Sequence, residues 1–495
     1  MIFKICNYFS RLFYSDKIKE LFGIDIRSLA LFRIGLSLVL LRDLIIRFQD
    51  ITAHYSDMGL LPRDMLIEKV SEAWHVSLHL ANGTPEFQYV LFILSLILVV
   101  ALLIGYQTRI VTILVWILVA SIHSRNPLIL QGGDSVLRLL LFWAMFLPLG
   151  ACWSVDAWQK KTIKVPNQYI SVATFALLLQ VCFIYWFSAL LKTDDSWRID
   201  GTAVWYALSL EQFSTSFGKM LLQYPNLLKV ITFATFYLEA VGPFLAFSPI
   251  YTGPLRFATA LMFISFHLIG LNLTMELGPF VYVCAVAWIV FIPSWFWDRS
   301  IKVSCLPSIS WKTSHFTNVM AAFFIGSVFL WNVQTLGIKV PYFTPPLQSV
   351  SILFRLDQHW NMFAPFPMKL DGWFIIPAKL RDGTEVDLFK NGLPITWKKP
   401  GLISSTYKND RWKSYMLCLL MNENNAFLLE SYAWYLGREW NKSHSIEKHL
   451  QSLDIIFMLK IVSMNEDKPH QKITLWHHEW DPDTHEEVVD KILSK

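Results

Sequence analysis

Charged residues are scarce in this sequence. Only 16% of the 495 residues are Asp, Glu, Lys or Arg, whereas 54% are hydrophobic. Soluble proteins carry about a quarter charged residues, because their surface faces water. The composition therefore excludes an ordinary soluble protein and predicts an integral membrane protein, for which the bilayer is the solvent of most of the chain.

The sequence also lacks the signatures of several functional classes. The six cysteines are scattered, with no metal-ligand spacing and no obvious disulfide framework. There is no nucleotide-binding glycine loop, zinc-binding helix motif or nucleophile elbow. The net charge of +5 is explained by membrane topology, so nucleic-acid binding is not indicated. The cluster His477-His478-Glu479 lacks the i, i+4 spacing of a helical site, and we expect no metal.

A series of hydrophobic segments fills the first two thirds of the chain. They fall at residues 28–47, 88–105, 108–124, 134–150, 169–191, 226–247, 257–275, 278–296 and 315–334. We therefore predict an all-α polytopic membrane helix bundle of about nine transmembrane helices over residues 28–340, after an N-terminal tail at residues 1–27. Residues 197–224 are too polar to span a membrane, and they are predicted to lie over the bundle as an amphipathic or re-entrant segment.

The chain after Val340 is more polar and predicts a small α+β extramembrane lobe over residues 341–495. Residues 372–387 alternate like two strands around a turn at Asp382-Gly383. Residues 454–463 and 471–476 also have the pattern of strands. Residues 409–442 have the periodicity of an amphipathic helix.

Ionisable residues inside the apolar segments are the candidate functional residues, because each is costly at membrane depth. Asp134 and Arg138 are four apart, so on a helix they could neutralise each other. Arg33 is expected to pair with a carboxylate. Glu239 lies four residues before Pro243, whose ring frees a backbone carbonyl near that carboxyl. Glu239 could bind a polar ligand group, or it could be a satisfied carboxyl of the core.

Lys192 follows an apolar run and allows two interpretations. In the first, it is a helix-end lysine that extends to the lipid headgroups or pairs with Asp194 or Asp195. In the second, it turns inward, where desolvation favours the neutral amine and makes it a general base.

The run around Lys192, YWFSALLKTDDSW at residues 185–197, resembles the active-lysine segment of the vitamin K-dependent gamma-glutamyl carboxylase. Further pieces occur in the same order: WSVD at 153–156, FHL at 266–268, GPFVY at 278–282, WNM at 360–362 and RDG at 381–383. The segments FRI at 32–34, SRNP at 124–127 and GGD at 132–134 resemble its bacterial relatives, the horizontally transferred transmembrane (HTTM) domain proteins. The resemblance covers roughly residues 20–395.

This resemblance implies that Lys192 is a catalytic base. Its amine would take the phenolic proton of a reduced quinone, similar to vitamin K hydroquinone, and oxygen would add to the anion. Collapse to the quinone epoxide gives a base strong enough to remove a γ proton from a glutamate side chain, which then captures carbon dioxide. His267 would orient or polarise a quinone oxygen, or it is a hydrogen-bonded structural histidine. Glu239 and Asp134 are further candidates for the quinone pocket.

The expected co-substrates are thus reduced quinone, oxygen and carbon dioxide, without a metal, and the expected partners are membrane lipid and a protein carrying the glutamate. One departure limits the inference, since vertebrate members have a histidine where this chain reads Gly132-Gly133-Asp134. Hydroquinone oxygenation without carboxylation is therefore one alternative. Another is a non-catalytic lipid-binding or scaffold protein whose outer lobe holds a partner.

Basic residues near the helix ends predict the orientation in the membrane, because they resist translocation. The N-terminal tail and the turns at Arg109, Arg256 and Arg299 belong to the set of ends that is richer in Lys and Arg. We therefore predict a multi-pass protein of the cell (inner) membrane with a cytoplasmic N-terminus and an extracytoplasmic lobe.

A reporter fusion tests this orientation. Alkaline phosphatase fused after Lys495 should be active, and green fluorescent protein at the same position should be dark, because both report export of the lobe. A fluorescent, phosphatase-negative pair of fusions would reverse the orientation.

Overall fold

The computed structural model describes residues 16–70, 76–159, 167–300, 314–341, 343–421, 425–464, 466 and 469–480. Among these residues, nine helices coincide in order with the nine predicted hydrophobic segments. They are α1 (Ile26–Phe48), α2 (Pro85–Ile104), α3 (Thr108–Arg125), α4 (Gly132–Ala144), α5 (Val172–Leu191), α6 (Pro225–Leu245), α7 (Thr252–Ser265), α8 (Phe280–Trp288) and α9 (His315–Thr335). A π-helical stretch, Phe266–Leu271, continues α7 to Asn272–Thr274.

Six of these helices in the described part of the chain are long and apolar enough to cross a membrane: α2, α3, α5, α6, α7 with its continuation, and α9. A seventh span arises if α8 and Ser294–Ser300, which meet at 86°, are taken together. Helix α4 has 13 residues, which is about 20 Å of helix and too short for a span. The helical membrane-protein class is thus supported, whereas the predicted count of nine spans is not confirmed.

The short helix α4 is tolerated because protein surrounds it. It packs against α3, α5 and α8, and every residue from Val136 to Ala144 is buried. Helix α8 is equally enclosed by α1, α4 and α7. A helix at membrane depth can be shorter than the bilayer is thick when neighbouring helices, rather than lipid, surround it.

The lobe consists of an antiparallel sheet and two helices. The strands are β1 (Leu370–Ile375), β2 (Pro377–Leu380), β3 (Glu385–Asp387), β4 (Leu450–Ile461) and β5 (Gln471–Glu479), and the helices are α10 (Asp410–Met421) and α11 (Ala426–Ser443). The long strand β4 pairs with β1 and β2 on one edge and with β5 on the other. The predicted strands and the turn at Asp382-Gly383 are present, and the predicted helix over 409–442 is two helices.

A buried charge cluster joins the lobe to the bundle. Arg411, near the start of α10, donates to Asp134 of α4 over 2.6 Å and also contacts the carboxylate of Asp43 on α1. Arg47 donates to Asp43 over 2.8 Å and to Asp134 over 2.6 Å. Two guanidinium groups therefore balance two carboxylates away from water, which is the condition for burying such charges.

The cluster corrects the predicted pairing of Asp134 with Arg138. Arg138 lies one turn along α4, but its guanidinium donates to the carbonyls of Arg355 and Asp357, over 2.7 and 2.8 Å, and to the Asp357 carboxylate over 3.1 Å. Spacing along the helix places the two side chains on one face. Each nevertheless has partners in the lobe, more than 200 positions away in sequence.

Arg33 is also predicted to pair with a carboxylate, but it has a different partner. Its guanidinium donates to the carbonyl of Trp153 over 2.5 Å. This approach requires glycine at position 105, which has φ 72° and ends α2, because a Cβ there would collide with the guanidinium. Backbone oxygens at the turn after α4 thus accept hydrogen bonds from the Arg33 guanidinium.

The cysteine spacing shows no obvious disulfide framework, yet Cys152 is disulfide-bonded. Cys152 packs against Ile26 and Ala30 at the start of α1, the end of the bundle opposite to Arg411. A disulfide is typical of oxidising compartments. It therefore opposes the orientation inferred from the basic residues, and the reporter fusions decide between the two.

The Arg411 cluster predicts a large loss of stability when its balance is broken. Arg411→Ala should lower the free energy of unfolding in detergent by about 3–5 kcal/mol, because it leaves two buried carboxylates with one guanidinium. Lys442→Ala is the control, since it removes an exposed pair with Glu439 and should change stability by about 0–1 kcal/mol. If denaturant titrations showed equally small losses of unfolding free energy for Arg411→Ala and Lys442→Ala, the role given to Arg411 would be contradicted.

Candidate functional site

Lys192 caps the C-terminal end of α5 and turns inward. The helix begins at a capping box, in which Ser171 and Thr174 satisfy each other's backbone N–H groups. At the other end, the backbone N–H of Lys192 donates to the Ser188 carbonyl over 3.2 Å. The residue is only 3% exposed. Its ammonium therefore does not reach the lipid headgroups.

The side chain of Lys192 meets a carboxylate and a hydroxyl inside the bundle. Its Nζ forms an ion pair with Glu239 of α6 and donates to Ser188 Oγ over 3.0 Å. The Ser188 hydroxyl donates to the Glu239 carboxylate over 3.2 Å, which closes a triangle of three polar groups. Asp194 accepts from the backbone N–H of Ser196, and Lys192 pairs with Glu239, as in the interpretation in which the lysine turns inward.

An aromatic ring closes this site from above. The Trp197 ring centroid lies 4.6 Å from Lys192 Nζ, close enough for a cation–π contact. The Trp197 indole N–H donates to the Phe363 carbonyl over 2.9 Å, which fixes the ring from the lobe side. The polar segment predicted at 197–224 forms short helices, Asp195–Arg198, Ala203–Ser209 and Ser216–Leu221, rather than a span. We call residues 195–224 the cap segment.

His267 lies on the π-helical stretch and is connected to α5 through Tyr185. Its Nε2 is 2.7 Å from the Tyr185 hydroxyl, and its Nδ1 has no partner among the described residues. Tyr185, Ser188 and Lys192 follow the i, i+3, i+7 spacing of one helix face. The structure therefore places Lys192, Glu239 and His267 along one interior face of α5. Sequence reasoning missed the roles of Tyr185 and Ser188, although this spacing signals them.

Asp134 lies elsewhere, in the Arg411 cluster. A possible metal site is formed by Asp43, His123 and Asp134. Each offers one ligand atom, and these three atoms lie within 4.8 Å of one another. The guanidinium groups of Arg47 and Arg411 already bind these carboxylates. These ligand atoms thus suit the two arginines better than a divalent cation. A cation would have to displace the two buried, positively charged guanidinium groups.

The lobe holds the cap segment through a buried carboxylate. Asp371 of β1 accepts from the backbone N–H groups of Glu211 and Gln212, over 3.0 and 3.4 Å. Burial raises the pKa of Asp371 to about 6, because the charged form loses its hydration. The cap segment is thus fastened at Trp197 and again at residues 211 and 212.

A family model for the HTTM domain matches residues 23–295, which is more than half of the chain. The chain belongs to the HTTM domain family. The matched HTTM range includes helices α1 to α8 and with them Lys192, Glu239 and His267, whereas the lobe lies beyond it. No curated protein and no solved structure matches this HTTM protein.

The raised pKa of Asp371 predicts a pH-dependent stability of the HTTM protein. The folded state binds this proton more tightly than the unfolded chain, whose value is 3.8, so the contribution is present at low pH and lost as the pH rises through about 6. In the Asp371→Asn variant this side chain does not titrate, so the loss of stability with rising pH is absent. The variant's unfolding free energy relative to wild type should therefore increase by about 2 kcal/mol between pH 4 and pH 7.5.

Denaturant titrations at both pH values measure this difference. Asp382→Asn is the control, because Asp382 is an exposed turn residue and should not show the increase. If the unfolding free energies of Asp371→Asn and wild type changed with pH in parallel, the raised pKa assigned to buried Asp371 would be contradicted.

Proposed function

We propose that this protein is a membrane enzyme that oxygenates a reduced quinone to its epoxide, with Lys192 as the base. The observation that carries the proposal is the inward position of Lys192 between Glu239, Ser188 and Trp197. A lysine that only anchored a helix end would extend to the headgroups. Membership of the HTTM family, whose domain is found in vitamin K-dependent carboxylase, supports the same chemistry.

The Lys192–Glu239 pair can supply a free amine. It holds one proton, either as ammonium and carboxylate or as amine and carboxylic acid. The two groups are in hydrogen-bond contact, so the proton can pass from the amine to the carboxylate. With the proton on Glu239, the lone pair of Lys192 can accept the phenolic proton of a hydroquinone, which leaves ammonium and phenolate.

The aromatic residues along α5 suit a flat substrate. Tyr185 packs against Phe263 and Trp288, with ring centroids 4.5 and 5.6 Å apart. The His267 ring packs against Tyr185, which holds its Nε2 atom, and its Nδ1 atom, without a partner among the described residues, can hydrogen-bond a quinone oxygen. In this proposal, His267 positions the quinone oxygen and Lys192 removes its proton.

The cap segment keeps water from the anion that Lys192 creates. Oxygen adds to this anion, one oxygen atom stays in the epoxide, and the other leaves as hydroxide and takes up the proton from Lys192 as water. Carboxylation of a glutamate would use the strong base that forms as the oxygenated quinone collapses to the epoxide, and it needs carbon dioxide and an acceptor protein. The proposal is therefore limited to oxygenation, and carboxylation is an additional readout.

The test uses membranes containing the protein, a reduced naphthoquinone, oxygen and carbon dioxide, with epoxide and carboxylated glutamate measured separately. Lys192→Ala alone would leave the Glu239 carboxylate unpaired, so the informative variant is Lys192→Ala with Glu239→Gln. Epoxide formation should fall by about a hundredfold to ten-thousandfold, the usual contribution of a general base. Lys192→Arg should be similarly inactive, because guanidinium keeps its proton.

Lys442→Ala, on the lobe surface, is the control and should keep full activity. Equal epoxide from wild type and the Lys192→Ala/Glu239→Gln variant would refute the role of Lys192. No epoxide from the wild type with any quinone supplied would favour the non-catalytic scaffold function.

A further inference from the structure

A polar cavity lies between the bundle and the lobe, away from the residues around Lys192. It has a volume of about 370 Å³ and is open to the surface. Arg42 of α1 and Glu276, just after the continuation of α7, contribute to its bundle side, and Lys408 and Lys413 to its lobe side. Ligand pockets commonly measure roughly 300–1,000 Å³, so a headgroup-sized molecule fits.

Most charges of this cavity already have partners. Lys408 is 2.5 Å from Asp50, and Lys413 donates to the Glu276 carbonyl over 2.6 Å. Asp410 accepts from Gln131 over 3.0 Å. Burial lowers the pKa of Lys413, because its ammonium loses hydration. These groups therefore form a fixed, electrically balanced wall.

In the described part of the chain, two opposite charges of the cavity, Arg42 and Glu276, lack a hydrogen-bonded partner for their charged groups. Within the described residues, no hydrogen bond or ion pair involves the Arg42 guanidinium or the Glu276 carboxylate, and Arg42 lies 5.1 Å from the Tyr282 ring centroid. A guanidinium offers a planar fork of donors that matches phosphate, and a carboxylate accepts from an ammonium. One cavity thus presents an anion-binding group and a cation-binding group together.

The outer surface beside the cavity is apolar and suits acyl chains. Leu38, Arg42 and Ile45 follow the i, i+4, i+7 spacing of one face of α1, and both apolar members are about half exposed. Ile269 and Leu273 form a second exposed stripe that leads to Glu276. Such stripes on bundle helices face lipid, so a molecule in the cavity would continue along them.

We propose that this cavity binds a phospholipid with a zwitterionic headgroup, in which Arg42 holds the phosphate and Glu276 holds a primary ammonium. The two acyl chains lie on the stripes of Leu38 and Ile45 and of Ile269 and Leu273. The proposal is independent of the quinone chemistry, because it involves neither Lys192 nor the cap segment. Phosphatidylethanolamine has this headgroup.

Native mass spectrometry of the full chain, titrated with defined lipids, tests the proposal. Phosphatidylethanolamine should bind about tenfold more tightly than phosphatidylcholine, whose quaternary ammonium has no N–H donor, or phosphatidylglycerol, which has no ammonium. Arg42→Gln and Glu276→Gln should each reduce its affinity by about tenfold, the effect of losing one charge-assisted hydrogen bond.

Arg299→Gln and Glu86→Gln are matched controls on exposed residues outside the cavity and should bind like wild type. Equal affinity for the three lipids, a preference for phosphatidylglycerol, or unchanged binding by both cavity variants would overturn the proposal. Free phosphoethanolamine should not displace the lipid, and if it competes at similar concentration the site recognises a soluble headgroup molecule instead.

Discussion

Two groups of ionisable side chains in this protein lie where water cannot solvate them, and they persist because their members pair with residues from other parts of the chain. The cost of burying one unpaired charge is several kcal/mol, which is a large fraction of the stability of a folded domain. Two such sites organise the molecule. Arg411 and Arg47 balance Asp43 and Asp134 at the lobe, and Lys192 meets Glu239 between α5 and α6.

The two sites have different consequences because their partners differ. A guanidinium does not give up its proton, so the Arg411 cluster can only hold elements together. An amine and a carboxylic acid can exchange one proton, and the Lys192–Glu239 pair is therefore suited to chemistry. The cap segment closes over this pair, and the lobe holds that segment at Trp197 and through Asp371. The lobe thus supports the site without supplying the base.

Hydropathy predicted the nine helical segments, because a run of apolar residues by itself indicates an apolar environment, without knowledge of distant contacts. The resemblance indicated Lys192, and the cost of polar groups at membrane depth indicated Glu239 and His267. The partners of Asp134, Arg138 and Arg33 were not predictable, because Arg411 is 277 positions from Asp134 and a single sequence does not reveal such distant contacts. The number of spans is not confirmed by the structure, since an enclosed helix such as α4 is as apolar as one that crosses the membrane.

The central claim is that Lys192 and Glu239 form a buried pair, and a double-mutant cycle measures this directly. Lys192→Met and Glu239→Gln should each lower the free energy of unfolding, because each leaves the other residue as an uncompensated buried charge. The double variant should lose less than the two single losses together, with a coupling energy of about 1–3 kcal/mol. Losses that add within about 0.5 kcal/mol would contradict the claim, because residues that do not touch behave in this way.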